Sequence, residues 1–181
     1  MPPTFHALTI KGAGPLAVLI TDCHASAAFD PRKTPQGTPP EYHPFKAIWD
    51  TGATGSVITQ AVVDACGLRP TGMVQVHGVH GPEFAETFLV NIALPNGVAF
   101  PNVRVTKGKI LGPSLLIGMD IITTGDFSIT NVGMQTVFTF RIPSIHTIDY
   151  VEEANQLKAK AAANAAHQPF YKGVTGKKKH R

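Results

Sequence analysis

The sequence predicts an all-β domain, a closed and largely antiparallel barrel of short strands, followed by one C-terminal helix. Three observations carry that expectation. Short apolar or alternating runs recur from residue 4 to residue 140, separated by Gly, Pro and Asn, which is the pattern of a strand-rich sandwich or barrel. No long 3.6-residue periodicity interrupts them. After Pro143 the chain changes to strong helix formers, with alanine dominating residues 154–166.

Thr4–Ile10 and Pro15–Asp22 read as two strands around a turn at Lys11-Gly12-Ala13-Gly14, which predicts a β-hairpin. Residues 25–42 hold Pro31, Pro35, Gly37, Pro39 and Pro40 among polar neighbours, too proline-rich for a helix or central strand, so an exposed loop is expected. Phe45–Trp49 is an apolar strand broken at Asp50-Thr51-Gly52-Ala53-Thr54-Gly55. Thr59–Cys66 fits one short helix, with Thr59 as cap, Val62, Val63 and Cys66 on one side and Gly67 at the exit. Met73–Val79, Phe84–Leu94, Val98–Val105 and Leu115–Ile117 return to β patterns. Ile121–Thr124 suits a helical turn, and Phe127–Thr130 and Thr136–Phe140 are the last strands. Asp149 can cap a helix starting at Tyr150, with Glu152 three residues on in capping-box position. The expected organisation is therefore a domain over residues 1–146, and a helix with a basic tail over 147–181.

Composition narrows the possible functions. The 181 residues are 43% hydrophobic and 15% charged, enough to bury a core without disulfide staples. Cys23 and Cys66 are too few for a disulfide framework, and no spaced Cys/His set suggests structural zinc. No apolar run approaches the roughly 18 to 20 residues that span a bilayer, and the N-terminus does not read as a signal peptide, so a cytoplasmic setting without membrane is expected. The net charge of +4 is uneven. Seven of the 16 basic groups and none of the 12 acidic ones lie in residues 154–181, so the first 153 residues carry a net −3. The tail that ends Lys177-Lys178-Lys179-His180-Arg181 could contact phosphates nonspecifically, but a solvated basic tail is the commoner case, and nucleic acid is not an expected partner.

The chemistry-bearing segment is Ala47–Ser56. An apolar strand ending in Asp50 and a glycine-containing turn puts a carboxylate where the backbone doubles back, among free amides and hydroxyls. Asp-Thr-Gly alone is a common turn. Here it stands with two further stretches: Gly78-Val79-His80-Gly81 between two strands, and Leu115-Leu116-Ile117-Gly118-Met119-Asp120-Ile121-Ile122. In this order the three stretches resemble the retropepsin-like aspartic proteases, the retroviral-type enzymes and their cellular and bacterial relatives, over roughly residues 44–140. The first corresponds to the catalytic signature, the second to a glycine-rich flap tip, the third to the turn before the family's C-terminal helix.

The resemblance implies an acid-protease barrel with a flap hairpin, and an aspartic endopeptidase without metal or organic cofactor that cleaves an extended peptide or protein substrate. Asp50 would activate water, Thr51 would hydrogen-bond across a dimer axis, and Gly52 would allow close approach and offer its carbonyl to substrate amides. Ile48, two residues before Asp50 on the same strand face, would line a subsite with Ala53, while Trp49 would point into the core. Gly78, Val79, His80 and Gly81 would form the flap over the bound peptide. Because two carboxylates must share one proton and the chain holds a single Asp-Thr-Gly, catalysis implies a homodimer.

The sequence departs from the retroviral pattern at Thr54 and Met119, where those enzymes commonly carry an Asp and an Arg that pair. Both charges are missing together, which leaves neither unpaired. His77 and His80 invite a metal or pH-sensor reading, but on a strand-turn-strand they need not converge, and solvated flap side chains are expected. Asp120 lacks a following Thr/Ser-Gly and reads as a structural turn residue. A catalytically silent, dimerising peptide-binding or adaptor module with the same fold is the alternative function.

Overall fold

The computed structural model describes residues 4–29, 40–78 and 81–166. The chain divides into two compact units, residues 1–145 and 146–181. In the first, the strands are β1 (His6–Lys11), β2 (Ile20–Ala27), β3 (His43–Trp49), β4 (Val57–Ile58), β5 (Gly72–Gly78), β6 (Gly81–Ala93), β7 (Ala99–Lys107), β8 (Leu115–Ile117), β9 (Asp126–Thr130) and β10 (Val137–Ile142). Two short helices, α1 (Gln60–Ala65) and α2 (Met119–Ile122), follow β4 and β8. The second unit contains α3 (Tyr150–Ala166).

The larger sheet runs β2-β3-β8-β4-β7-β6-β5, and a further pairing of β2 with β6 closes its first six strands on themselves. The curled, closed sheet expected from the strand pattern is therefore present and largely antiparallel, with two parallel pairings that the strand pattern did not predict. β3 pairs with β8 and β4 with β7 in parallel register, Trp49 opposite Ile117 and Val57 opposite Thr106. Parallel neighbours require long crossover connections, so their direction is set by chain path and not by local alternation. β6 is long enough to serve two purposes: its C-terminal half pairs with β7 and β2, while its N-terminal half leaves the barrel as a hairpin with β5.

The expected hairpin between the first two strands does not form. β1 pairs with β10 in a separate antiparallel sheet of order β1-β10-β9. The connection after β1 is bound to the entrance of β10 instead: Gly12 N–H donates to Thr136 O at 2.8 Å, Thr136 N–H to Gly14 O at 3.2 Å, and Leu16 N–H to Thr136 Oγ1 at 2.9 Å. β2 starts only at Ile20 and continues to Ala27, into the segment read as loop. Pairing of His24–Ala27 with Val90–Ala93 explains this, since it buries Ala25 and Ser26 inside the closed sheet. Of the proline-rich loop, residues 30–39 lie outside the described residues. Its two ends meet, with the Phe29 and Tyr42 rings edge-on at 6.2 Å and Asn91 Nδ2 donating to Phe29 O.

The core joins both sheets through aromatic rings. Trp49, on β3, is 5% exposed and lies 4.9 Å from Phe140, 5.2 Å from Phe138 and 6.0 Å from Phe127, centroid to centroid. Its indole N–H finds a partner in Thr21 Oγ1 at 3.0 Å, as a buried Trp requires. Cys23 and Cys66 are free, and burial pushes their thiols up to about 12 and about 11, so at neutral pH both are protonated and unreactive.

α1 and α3 form where expected, with one difference in mechanism at α1, while α2 spans Met119–Ile122, two residues ahead of the turn expected at Ile121–Thr124. Thr59 occupies the N-cap of α1, but its hydroxyl donates to Ser114 O, tying the helix start to the strand β8 that follows. Gly67 leaves the helix at φ +58, a left-handed conformation that favours glycine. At α3, Asp149 Oδ1 accepts the N–H groups of Val151 and Glu152 as a capping residue should. No helix of the described residues is long and apolar enough to cross a membrane.

One acidic residue fastens the end of the first unit. Asp126 accepts hydrogen bonds from the Ser144 hydroxyl, the Arg141 guanidinium and the Ile145 amide, and these hold its carboxyl well below the usual carboxylate range. A depressed folded-state value stabilises the fold above the unfolded carboxylate range, near pH ~4, and that contribution is lost as pH falls below it. Asp126→Asn is therefore expected to lower Tm at neutral pH and to flatten the loss of Tm on acidification below about pH 4. Thermal melts of both proteins across that range check it.

Candidate active site

The site grows from the end of β3. The Asp50 amide donates to Ile117 O at 3.0 Å, so the parallel partner β8 fixes the point at which the chain turns. The turn then closes on itself: Ala53 N–H donates to Asp50 O at 3.3 Å, and Gly52 N–H to Asp50 Oδ1 at 2.8 Å. Asp50 is half-buried, and Oδ2 takes no hydrogen bond among the described residues. One carboxylate oxygen is held by the backbone while the other has no partner among the described residues.

A second turn, around Gly118, locks the first from behind. Met119 N–H donates to Ala53 O at 2.8 Å. Ser56 donates to both oxygens of Asp120, its hydroxyl to Oδ1 at 2.9 Å and its amide to Oδ2 at 3.0 Å, and the Ser56 hydroxyl accepts Gly118 N–H at 3.2 Å. Ile121 N–H also donates to Asp120 Oδ1. Asp120 thus acts as a brace between the two loops, with its oxygens occupied. Ser56, its partner, escaped the sequence reading; the only local signal was a hydroxyl directly after Gly55 that becomes fully buried.

The packing of these loops requires Gly118. A Cβ there would meet the Gly55 carbonyl carbon and oxygen at 2.7 Å and Ala53 O at 2.9 Å, all backbone atoms that cannot rotate aside. Gly118→Ala is expected to cost about 1–3 kcal/mol as the Asp50 loop is forced away. Gly55→Ala, in the same loop but with no atom within 4 Å of the added carbon, is expected to change stability by less than about 0.5 kcal/mol. Urea denaturation of the pair checks the contrast.

The loop opens onto a groove of about 850 Å³, bounded by Gly52–Val57, by the β5–β6 hairpin and by the end of β7 with Gly108. Register assigns the hairpin faces. Val74 is opposite Ala85 and Val76 opposite Glu83, on the less exposed face, whereas Gln75 with Phe84 and His77 with Pro82 occupy the outer one. Gly78 pairs with Gly81, which has φ +104, so the hairpin reverses at the expected flap tip. Val79 and His80 lie outside the described residues. Where β6 leaves the barrel, Lys107 on β7 pairs with Glu86.

Of the expected site residues, Gly52 and Ala53 line this groove, whereas Asp50, the exposed Thr51, Gly78 and Gly81 are not among its lining residues. Ile48 is half-buried, opposite Ile20 and Leu116, and is not among the groove's lining residues. Thr54 is exposed, and Met119 packs against the core, so neither position holds a charge in need of a partner. No cluster of three or more His, Cys, Asp or Glu side chains suited to a metal occurs among the described residues. The wall formed by Arg104, Thr106 and Lys107 was not anticipated. Its signal was two cations near the end of β7, which acquire meaning only when β7 is seen beside the Asp50 loop.

Comparison with known proteins agrees with the motif reading. Residues 41–124 match the family model described as "gag-polyprotein putative aspartyl protease". No curated protein matches the chain significantly. Among solved structures, a retropepsin-like aspartic protease from Rickettsia conorii is 12% identical, covering 78% of this chain and 98% of its own, with a TM-score of 0.45. EIAV protease bound to an inhibitor is 27% identical over 44% of this chain and 75% of its own, with a TM-score of 0.38. The retroviral protease-like domain of Ddi1 from Leishmania major is 16% identical over 68% and 94%, also with a TM-score of 0.38. The Asp50-Thr51-Gly52-Ala53 signature lies inside the matched residues 41–124, and over that segment the chain is similar to the retropepsin-like aspartyl proteases.

Proposed function

We propose that the protein is an aspartic endopeptidase that works as a twofold homodimer, with Asp50 of each copy forming one catalytic dyad. The observation that carries this reading is the Asp50 carboxylate itself, with Oδ1 fixed by Gly52 N–H and Oδ2 open, in a braced loop at the edge of a groove under a hairpin. Two carboxylates in contact hold one proton between them. The ionised one takes a proton from water as the water oxygen attacks the scissile carbonyl carbon, and the protonated one donates to the carbonyl oxygen. The resulting diol gives a hydroxyl proton to the carboxylate that is now ionised as the C–N bond breaks, and the amine departs with the proton of the other carboxyl, which restores the singly protonated dyad. Gly52, without a side chain, lets the peptide backbone approach, and the β5–β6 hairpin serves as the flap that excludes water. Thr51 is the residue suited to bond across the twofold axis.

The test is cleavage of an unfolded protein substrate at mildly acid pH by the wild type and by Asp50→Asn, together with sedimentation to establish the dimer. Cleavage that persists in the variant overturns the assignment of Asp50. A folded dimer that binds peptides and never cleaves them makes the protein an adaptor.

A further inference from the structure

The groove is charged in a particular way. Lys107 is matched by Glu86, whereas the side chains of Arg104 and Glu83 take part in no hydrogen bond or ion pair among the described residues. They face the groove from different walls. Arg104 stands on β7 with Thr106, on the side opposite the core residue Val105, and Glu83 stands on the inner face of the hairpin with Val74, Val76 and Ala85. With Lys107 offset by Glu86, the groove is left with one cation and one anion on separate walls.

We propose that Arg104 is a specificity residue, which seats an acidic side chain of the bound peptide. The inference rests on the endopeptidase reading and names the substrate class it takes: an extended peptide with a carboxylate at one defined position. A guanidinium presents paired N–H donors that match a carboxylate, and an unpartnered one at the groove wall has its donors available for it. An extended peptide sends successive side chains to opposite sides, so only one parity of position can reach β7. A carboxylate shifted by one residue faces away from Arg104 and can be directed toward Glu83 on the flap, where like charges repel.

The experiment uses the full-length Asp50→Asn protein, so that binding is read without turnover. Fluorescent peptides differing only in Glu, Gln or Lys at one scanned position are titrated by anisotropy. At one position Glu is expected to bind about tenfold tighter than Gln. Arg104→Gln is expected to erase that preference, and Arg104→Glu to reverse it in favour of Lys, an outcome a merely structural role would not give. Absence of any position with acidic preference, or a preference unchanged by Arg104→Gln, overturns the proposal. Wild-type protein run in parallel separates the two ideas: charge-selective binding without any cleavage removes the endopeptidase reading and leaves the role of Arg104 standing.

Discussion

Asp50→Asn is expected to leave Tm within about a degree of the wild type while lowering kcat for peptide cleavage by at least about 10²- to 10⁴-fold. The substitution is isosteric, and the side-chain carbonyl of Asn can still accept the Gly52 N–H that Asp50 Oδ1 accepts at 2.8 Å. The backbone bonds from Asp50 N–H to Ile117 O and from Ala53 N–H to Asp50 O are untouched. The loop should therefore keep its shape and lose only its chemistry: an amide neither removes a proton from water nor shares one with a partner carboxylate. Far-UV circular dichroism, thermal melts and a cleavage assay on the same samples separate these effects. A large fall in Tm would mean that the Asp50 charge also stabilises the loop.

Trp49→Ala is expected to destabilise the first unit by about 3–5 kcal/mol. Trp49 directly precedes the site, yet its side chain belongs to the core, among Phe127, Phe138 and Phe140, with the indole N–H on Thr21 Oγ1. Truncation removes the ring that packs the closed sheet against the Phe127, Phe138 and Phe140 side chains of the β1-β10-β9 sheet and leaves the Thr21 hydroxyl without its donor. A loss of that size is a large fraction of a typical domain's stability, so the expected readout is a sharp fall in the urea midpoint. Trp49→Phe, which keeps a ring but not the N–H, should recover more than half of the loss.

Much of this was legible in the sequence. The Asp50 turn, the reversal between Gly78 and Gly81, the Gly118 turn and the start of α3 at Asp149 are all local events. Each is dictated by glycine, a capping side chain or a change of periodicity within a few residues, and each falls where the sequence puts it. The direction in which Trp49 points follows from the same two-residue alternation that separates it from Asp50.

What the sequence left open depends on partners distant along the chain. Nothing near His6–Lys11 says that β1 will pair with β10 rather than with the strand that follows it; the bonds from Gly12 and Gly14 to Thr136 decide that. Parallel pairing of β3 with β8 is equally invisible to local pattern, yet it supplies the Ile117 carbonyl that anchors Asp50. The Ser56–Asp120 brace spans 64 residues, and Arg104 becomes a groove residue only because β4 brings β7 beside the Asp50 loop. Local stereochemistry and side-chain type determine where the chain turns and which carboxylate it presents. Only the closure of the sheet, a long-range matter of burying apolar surface and pairing backbone groups, determines what braces that carboxylate and what faces it across the groove.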